Sequence, residues 1–300
     1  MTTKTKTVAR TETKPVAIAG SERFDLPSTI LGRSLRILVA KPYGDMPKAG
    51  WPAVYLLDGF DMFPIASQCV RQMASAGETR AAVVVGVAYA EPKTGGEQRW
   101  RDLSTPVSQA YLDRQGRKDV TAEGVGGMDD FLRAIHTEVK PAVAAMLKVN
   151  AKDQTLFGHS LGGLTVLRAL FRRTGDYRTF LASSPSIWWD DRAILADEAA
   201  FSAKVEAGRS TPRVFVSVGA DEGRAGKVNP ASGRTQADVE RMTRQAKMVG
   251  NARALSARLK ALRGGAGYVV ESVVFPEEGH LSVVPAAVSR GLRFALRNDG

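Results

Sequence analysis

Apolar positions along this chain come in two rhythms that alternate. Residues 53–57 (Ala-Val-Tyr-Leu-Leu) and 81–87 (Ala-Ala-Val-Val-Val-Gly-Val) are unbroken apolar runs. Such runs belong to strands covered on both faces, as in parallel sheets, whereas half-exposed strands alternate. In between, residues 61–76 read as a helix. Further on, Phe131, Leu132, Ile135, Val139, Val143 and Met146 recur at helical spacing and form one apolar face. The pattern then predicts strands at 154–157, 179–182, 213–218 and 268–275. Helices are predicted at 163–170, 238–262 and 283–296. Near the start, residues 24–27 and 31–40 read as an antiparallel pair turning near Gly32. One long polar, Gly-rich stretch, 91–127, breaks the rhythm, and its length predicts a functional loop or cap rather than a plain connection. Residues 223–240 are a second candidate for the cap. Strands alternating with helices predict an α/β fold: a mainly parallel sheet with helices on both faces. We expect one domain over residues 16–300, preceded by a flexible Thr/Lys-rich basic tail over 1–15.

The chemistry concentrates in Gly158-His159-Ser160-Leu161-Gly162, between a predicted strand and a predicted helix. G-x-S-x-G in that setting is a nucleophile elbow, a tight turn that lifts the serine hydroxyl clear of the sheet. With 29 glycines in the chain the five letters alone could arise by chance, so the flanking strand and helix carry the argument. A serine hydroxyl needs a base to take its proton during attack, and the chain has 3 histidines. His159 sits inside the elbow with its side chain directed away from that of Ser160. His136 lies near the polar edge of its helix. His280 follows the last predicted strand, where a hydrolase of this architecture carries its base. An orienting carboxylate belongs between nucleophile and base in chain order, after the penultimate strand. That strand runs into Gly219-Ala220-Asp221-Glu222. A register common in such enzymes, the acid three residues past the glycine, selects Glu222; Asp221 is the runner-up, and a Ser–His dyad is the third option. Two backbone amides should meet the oxyanion: that of Leu161, at the start of a helix, and one from the turn Asp58-Gly59-Phe60, here assigned to Phe60.

Composition removes several alternatives. The chain has 300 residues, 44% of them hydrophobic and 24% charged, which is the profile of a folded protein with a sizeable core. No run approaches the roughly 18 apolar residues of a bilayer span, so no membrane partner is expected. The first residues carry no apolar signal segment, and a cytoplasmic setting is the expectation. Cys69 is the single cysteine; it allows no intramolecular disulfide and no cysteine metal cluster, and reads as a small buried hydrophobe. The net charge of +11 attracts anions. The basic residues are spread along the chain without a nucleic-acid motif, so solvated surface charge and steering of an anionic substrate are preferred over nucleic acid.

Several stretches carry a resemblance. They are residues 55–59 (Tyr-Leu-Leu-Asp-Gly), 99–106 (Arg-Trp-Arg-Asp-Leu-Ser-Thr-Pro), 157–163, 183–190 (Ser-Ser-Pro-Ser-Ile-Trp-Trp-Asp) and 280–296. In this order they resemble the putative-esterase family of α/β-hydrolases, and within it the enterobactin (trilactone siderophore) esterases. The resemblance implies the α/β-hydrolase fold and hydrolysis of an ester or lactone by Ser160 and His280, without metal or organic cofactor. That branch resembles a Ser–His dyad more than a full triad, which keeps the acid open. It also implies an arginine meeting an anionic catecholate substrate, matched by Arg99 or Arg101; the alternative is that one of these pairs with Asp102 or Asp190. Trp188 and Trp189 either wall an aromatic pocket or belong to the core. Leu281 stands where the branch often has glycine, a bulk expected to narrow the pocket. Two rival readings remain: a general or feruloyl-type carboxylesterase for small aromatic esters, and a non-catalytic binding scaffold on the same fold.

Overall fold

A computed structural model of the protein describes residues 15–91, 95–117 and 119–298; all but the last residue of the predicted basic tail lies outside these. The predicted strands form one 8-stranded sheet. They are β1 (Ser21–Ser28), β2 (Arg33–Ala40), β3 (Trp51–Leu56), β4 (Val83–Tyr89), β5 (Val149–His159), β6 (Thr179–Ser183), β7 (Arg213–Gly219) and β8 (Val269–Phe275). Their spatial order is β1-β2-β4-β3-β5-β6-β7-β8. β1 and β2 are antiparallel to each other, and β2 is antiparallel to β4; every other neighbouring pair is parallel. The helices are α1 (Gly59–Ser75), α2 (Gly95–Asp102), α3 (Gln109–Arg114), α4 (Met128–Ala134), α5 (Lys140–Met146), α6 (Leu161–Arg172), α7 (Glu198–Glu206), α8 (Gln236–Ala246), α9 (Met248–Ala261) and α10 (Val283–Leu296).

The sheet separates two cores, which is why β3 and β4 run without a charged or strongly polar residue. Tyr55, Leu156 and Val214 point into one, with Phe131, Leu164 and Leu255. Their chain neighbours Leu56, Phe157 and Phe215 point into the other, against Phe63 of α1 and Val288 and Leu292 of α10. Each fully buried side chain of this size contributes about 1.5–3 kcal/mol. Cys69 is half-buried beside the second core.

Three elements differ from expectation. The helix predicted across 131–146 contains a π-turn, Ile135–Val139. It ends two residues before Pro141, which has no N–H to give to an ordinary helical bond. The helix predicted over 238–262 is two helices, broken at Lys247 with φ 44°. The break frees α8, which has no fully buried residue, to lean away while α9 packs Leu255 and Leu259 into the core. The 91–127 stretch is a folded insertion: α2, α3 and a 3-10 turn at Ala122–Gly124 bury Leu103, Tyr111, Leu112 and Val125.

Because β3, β5, β6, β7 and β8 are parallel neighbours, their carboxyl ends open on one edge. That edge gathers the start of α1, the 158–162 turn, and the segments after β6, β7 and β8, in the crevice where open α/β sheets hold ligands.

Candidate active site

Ser160 sits between β5 and α6 with φ 60°, ψ −117°, a region that costs a non-glycine residue about 1–3 kcal/mol. Neighbours hold it there: its N–H donates to the Ser183 carbonyl at 3.0 Å, and its carbonyl accepts from Leu164 and Ser186, each at 3.0 Å. Gly158 makes the turn possible, since a Cβ there would lie 2.2 Å from the Gly162 carbonyl oxygen.

The Ser160 hydroxyl lies 3.0 Å from His280 Nε2, and His280 Nδ1 lies 2.6 Å from Glu222 Oε2. The other oxygen, Glu222 Oε1, accepts from the Ser184 hydroxyl at 2.5 Å and the Gly219 amide at 2.8 Å. Burial pushes the Glu222 carboxyl up, but the hydrogen bonds from His280 and Ser184, the charge of His280 and the Gly219 amide outweigh it. The result lies below the ordinary carboxylate range. An ionised Glu222 takes the Nδ1 proton as its hydrogen bond, leaving Nε2 to accept from the serine. Asp221, the other candidate acid, turns toward Arg224 at 3.4 Å. The loop bearing His280 lies close on β7: a Cβ on Gly219 would meet the Glu278 carbonyl at 2.2 Å, and the Asp221 N–H donates to that carbonyl at 3.0 Å.

Of the remaining histidines, His159 packs its ring against that of His280, centroids 4.7 Å apart and planes at 42°. Its Nδ1 is 3.0 Å from the Ser183 hydroxyl. Burial first, then the neighbouring His280, lowers its pKa to about 3, so it is neutral in ordinary buffers. His136 lies on the π-turn, 3.4 Å from Asp176.

The two expected oxyanion donors come from adjacent strands. Leu161 opens α6 after β5, Phe60 is the second residue of α1 after β3, and β3 pairs with β5. N–H groups in the first turn of a helix have no partner within it, so both amides are free to serve a ligand. The turn before α1 is braced: Asp58 adopts φ 52° and accepts from Arg99 Nε at 2.7 Å and Nη2 at 2.9 Å. Burial works against the Arg99 charge, yet the Asp58 carboxylate raises its pKa.

That pairing corrects the expectation for Arg99. Its partner is neither substrate nor Asp102 nor Asp190; Asp102 instead pairs with Arg33. Neither Arg99 nor Arg101 lines the cavity above Ser160, and Arg101 is exposed. Leu281 is 77% exposed and also outside the lining, so it does not narrow the opening. The tryptophans divide: Trp188 lines the cavity, while Trp189 is buried with its indole N–H on Thr105.

The cavity holds about 470 Å³ above Ser160, His280 and Glu222. Both predicted cap segments contribute walls. Gln115 and Arg117 come from the first, and Arg224 and Gly226 from the second, with Met242, Thr243, Ala246 and Met248 from α8 and α9 beyond it. The sequence assigns no role to Arg117, which stands in no motif, or to Ser184, which lies in the 183–190 stretch; only contacts formed in the folded chain single them out. Among the described residues, no three His, Cys, Asp or Glu side chains are grouped to hold a metal, and no helix is long and apolar enough to cross a membrane.

The family model described as Putative esterase matches residues 28–264. The chain belongs to that family. This esterase is 32% identical over 286 residues to the ferri-bacillibactin esterase BesA of Bacillus subtilis, covering 94% of this chain and 92% of the relative. It is 32% identical over 263 residues to a siderophore enterobactin esterase of Emericella nidulans, covering 84% of each. Its fold matches the siderophore hydrolase EstA from Aspergillus nidulans with TM-score 0.79 at 27% identity, over 96% of this chain and 98% of that one. The fold is that of the α/β-hydrolases, and the protein is a serine ester hydrolase.

Proposed function

We propose that this esterase opens the ester bonds of a siderophore trilactone, with Ser160 as nucleophile, His280 as general base and acid, and Glu222 as the carboxylate that orients His280. Ser160 Oγ attacks the carbonyl carbon while Nε2 of His280 takes the hydroxyl proton. Charge developing on the carbonyl oxygen is met by the Leu161 and Phe60 amides. The imidazolium then gives its proton to the departing alcohol, leaving an acyl-serine. A water molecule, deprotonated by His280, repeats the attack and releases the acid and the free serine.

The observation that carries this reading is the continuous chain from Ser160 through His280 to Glu222, with a serine at the strained turn where an elbow nucleophile sits. The trilactone rests on the named activities of the relatives. We also propose a cytoplasmic site of action, a reading in keeping with a lone cysteine that admits no intramolecular disulfide.

The test is incubation with iron-free and ferric enterobactin beside 4-nitrophenyl butyrate, with Ser160→Ala as the blank and products identified by mass. Linear and shorter acids formed only by the wild type are the expected result. Cleavage of the nitrophenyl ester alone would keep the Ser160 chemistry and overturn the siderophore substrate.

A further inference from the structure

Among the described residues, Arg117 is the one cation on the wall of the cavity above Ser160 without an ion-pair partner. The two acids there are engaged: Glu222 with His280, and Asp221 with Arg224. Arg117 makes no ion pair among the described residues. Its guanidinium lies between two indoles instead, with Cζ 5.0 Å from the Trp100 ring centroid and 5.2 Å from that of Trp188. Its Nε is shielded from solvent and bonds to nothing. Burial lowers its pKa, while Asp119 and Arg234 act on it with opposite signs.

A partly buried ion without a counter-ion carries a desolvation cost, and the ring faces offset only part of it. A planar guanidinium fits a slot between two aromatic faces and presents its N–H edge, which a lysine ammonium cannot do. The slot opens on the cavity that holds the Ser160 hydroxyl. We propose that Arg117, clamped between Trp100 and Trp188, is a specificity-determining residue that binds anionic oxygen on the acyl arm of the substrate. The inference rests on the ester-hydrolase reading of Ser160 and His280. It requires an acyl group with negatively charged oxygens, whether a carboxylate or a metal-bound catecholate.

Two rigid esters of matched shape isolate the charge: the mono-4-nitrophenyl ester of terephthalic acid, which is anionic, and 4-nitrophenyl 4-methylbenzoate, which is neutral. Losing a charge-assisted hydrogen bond should lower kcat/KM of Arg117→Met for the anionic ester about 10- to 100-fold, chiefly through KM, with the neutral ester within about threefold of wild type. The neutral ester also reports whether the variant is folded. Arg117→Lys keeps the charge without the fork and should fall between the two. Equal losses on both esters would make Arg117 part of the wall and overturn the proposal, as would unchanged selectivity. Ferric enterobactin distinguishes the sources of negative charge: a larger loss with the ferric than the iron-free form identifies the chelate. If no trilactone is cleaved but the paired esters still diverge, Arg117 keeps its role and only the siderophore substrate falls.

Discussion

Arg99 and Arg117 belong to the same insertion, and both are half-buried, yet the fold uses them differently. Arg99 meets a carboxylate on the turn that begins α1, with two parallel N–H···O bonds. Its charge is matched inside the protein, so it works as a strut between the insertion and the turn before α1. Arg117 meets two indole faces and no acid. Its charge remains to be matched from outside. The side chains are chemically identical; the partner decides, and for Arg99 that partner lies 41 residues away in the chain.

Breaking this contrast starts with the chemistry both arginines flank. Glu222→Gln should lower kcat on a neutral nitrophenyl ester about 10²- to 10⁴-fold by disturbing the His280 tautomer, with Asp221→Asn within about threefold. Equal small effects would turn the site into a dyad. Next, Asp58→Asn loosens the strut, and displacement of the turn proposed to meet the oxyanion should cost about 10²-fold in kcat on charged and neutral esters alike. A loss confined to the anionic ester would erase the distinction from Arg117. In urea unfolding, Arg99→Met leaves Asp58 unpaired and should destabilise by about 2–3 kcal/mol, below the full value for a buried pair because Arg99 keeps partial solvent contact. Arg117→Met strands no carboxylate and should cost about 1 kcal/mol or less.

A smaller effect concerns His159, kept neutral by burial. Its folded pKa of about 3 lies below the unfolded value of about 6.5. The unfolded chain therefore binds the extra proton between these limits, and stability falls as pH falls, by at most about 1.4 kcal/mol per pH unit from this group. His159→Phe should flatten that slope in melting experiments between pH 6.5 and 4. Glu222 acts through the opposite ionisation: its depressed pKa stabilises the fold above the ordinary carboxylate range, a contribution lost as acid protonates it.

Much of the architecture is legible in the chain because burial writes it there. Runs such as 53–57 and 81–87 name strands covered on both faces, and the small residues around Ser160 announce the turn. Chain order singles out His280, which the fold puts beside Ser160, while spacing past Gly219 favours Glu222 and leaves Asp221 and a dyad open. What is illegible depends on distant partners. The break at Lys247 has no glycine or proline at its centre to mark it. Arg99 could not be told from a ligand-binding arginine until Asp58 was beside it. Arg117, in the stretch with the weakest periodicity, owes its place to Trp100 and to Trp188, which comes from a different part of the chain.

The backbone at Ser160 carries one more lesson. Its angles, φ 60° and ψ −117°, are the mirror image of a comfortable extended conformation, so an achiral residue would occupy them at ease. Glycine at position 160 would relieve the strain while deleting the hydroxyl. A lineage selected only for thermal endurance would drift toward that glycine and, on the proposed role of Ser160, lose its activity. With Ser160 as the proposed nucleophile, the serine marks a standing trade of folding stability for catalysis, renewed wherever the reaction itself is under selection.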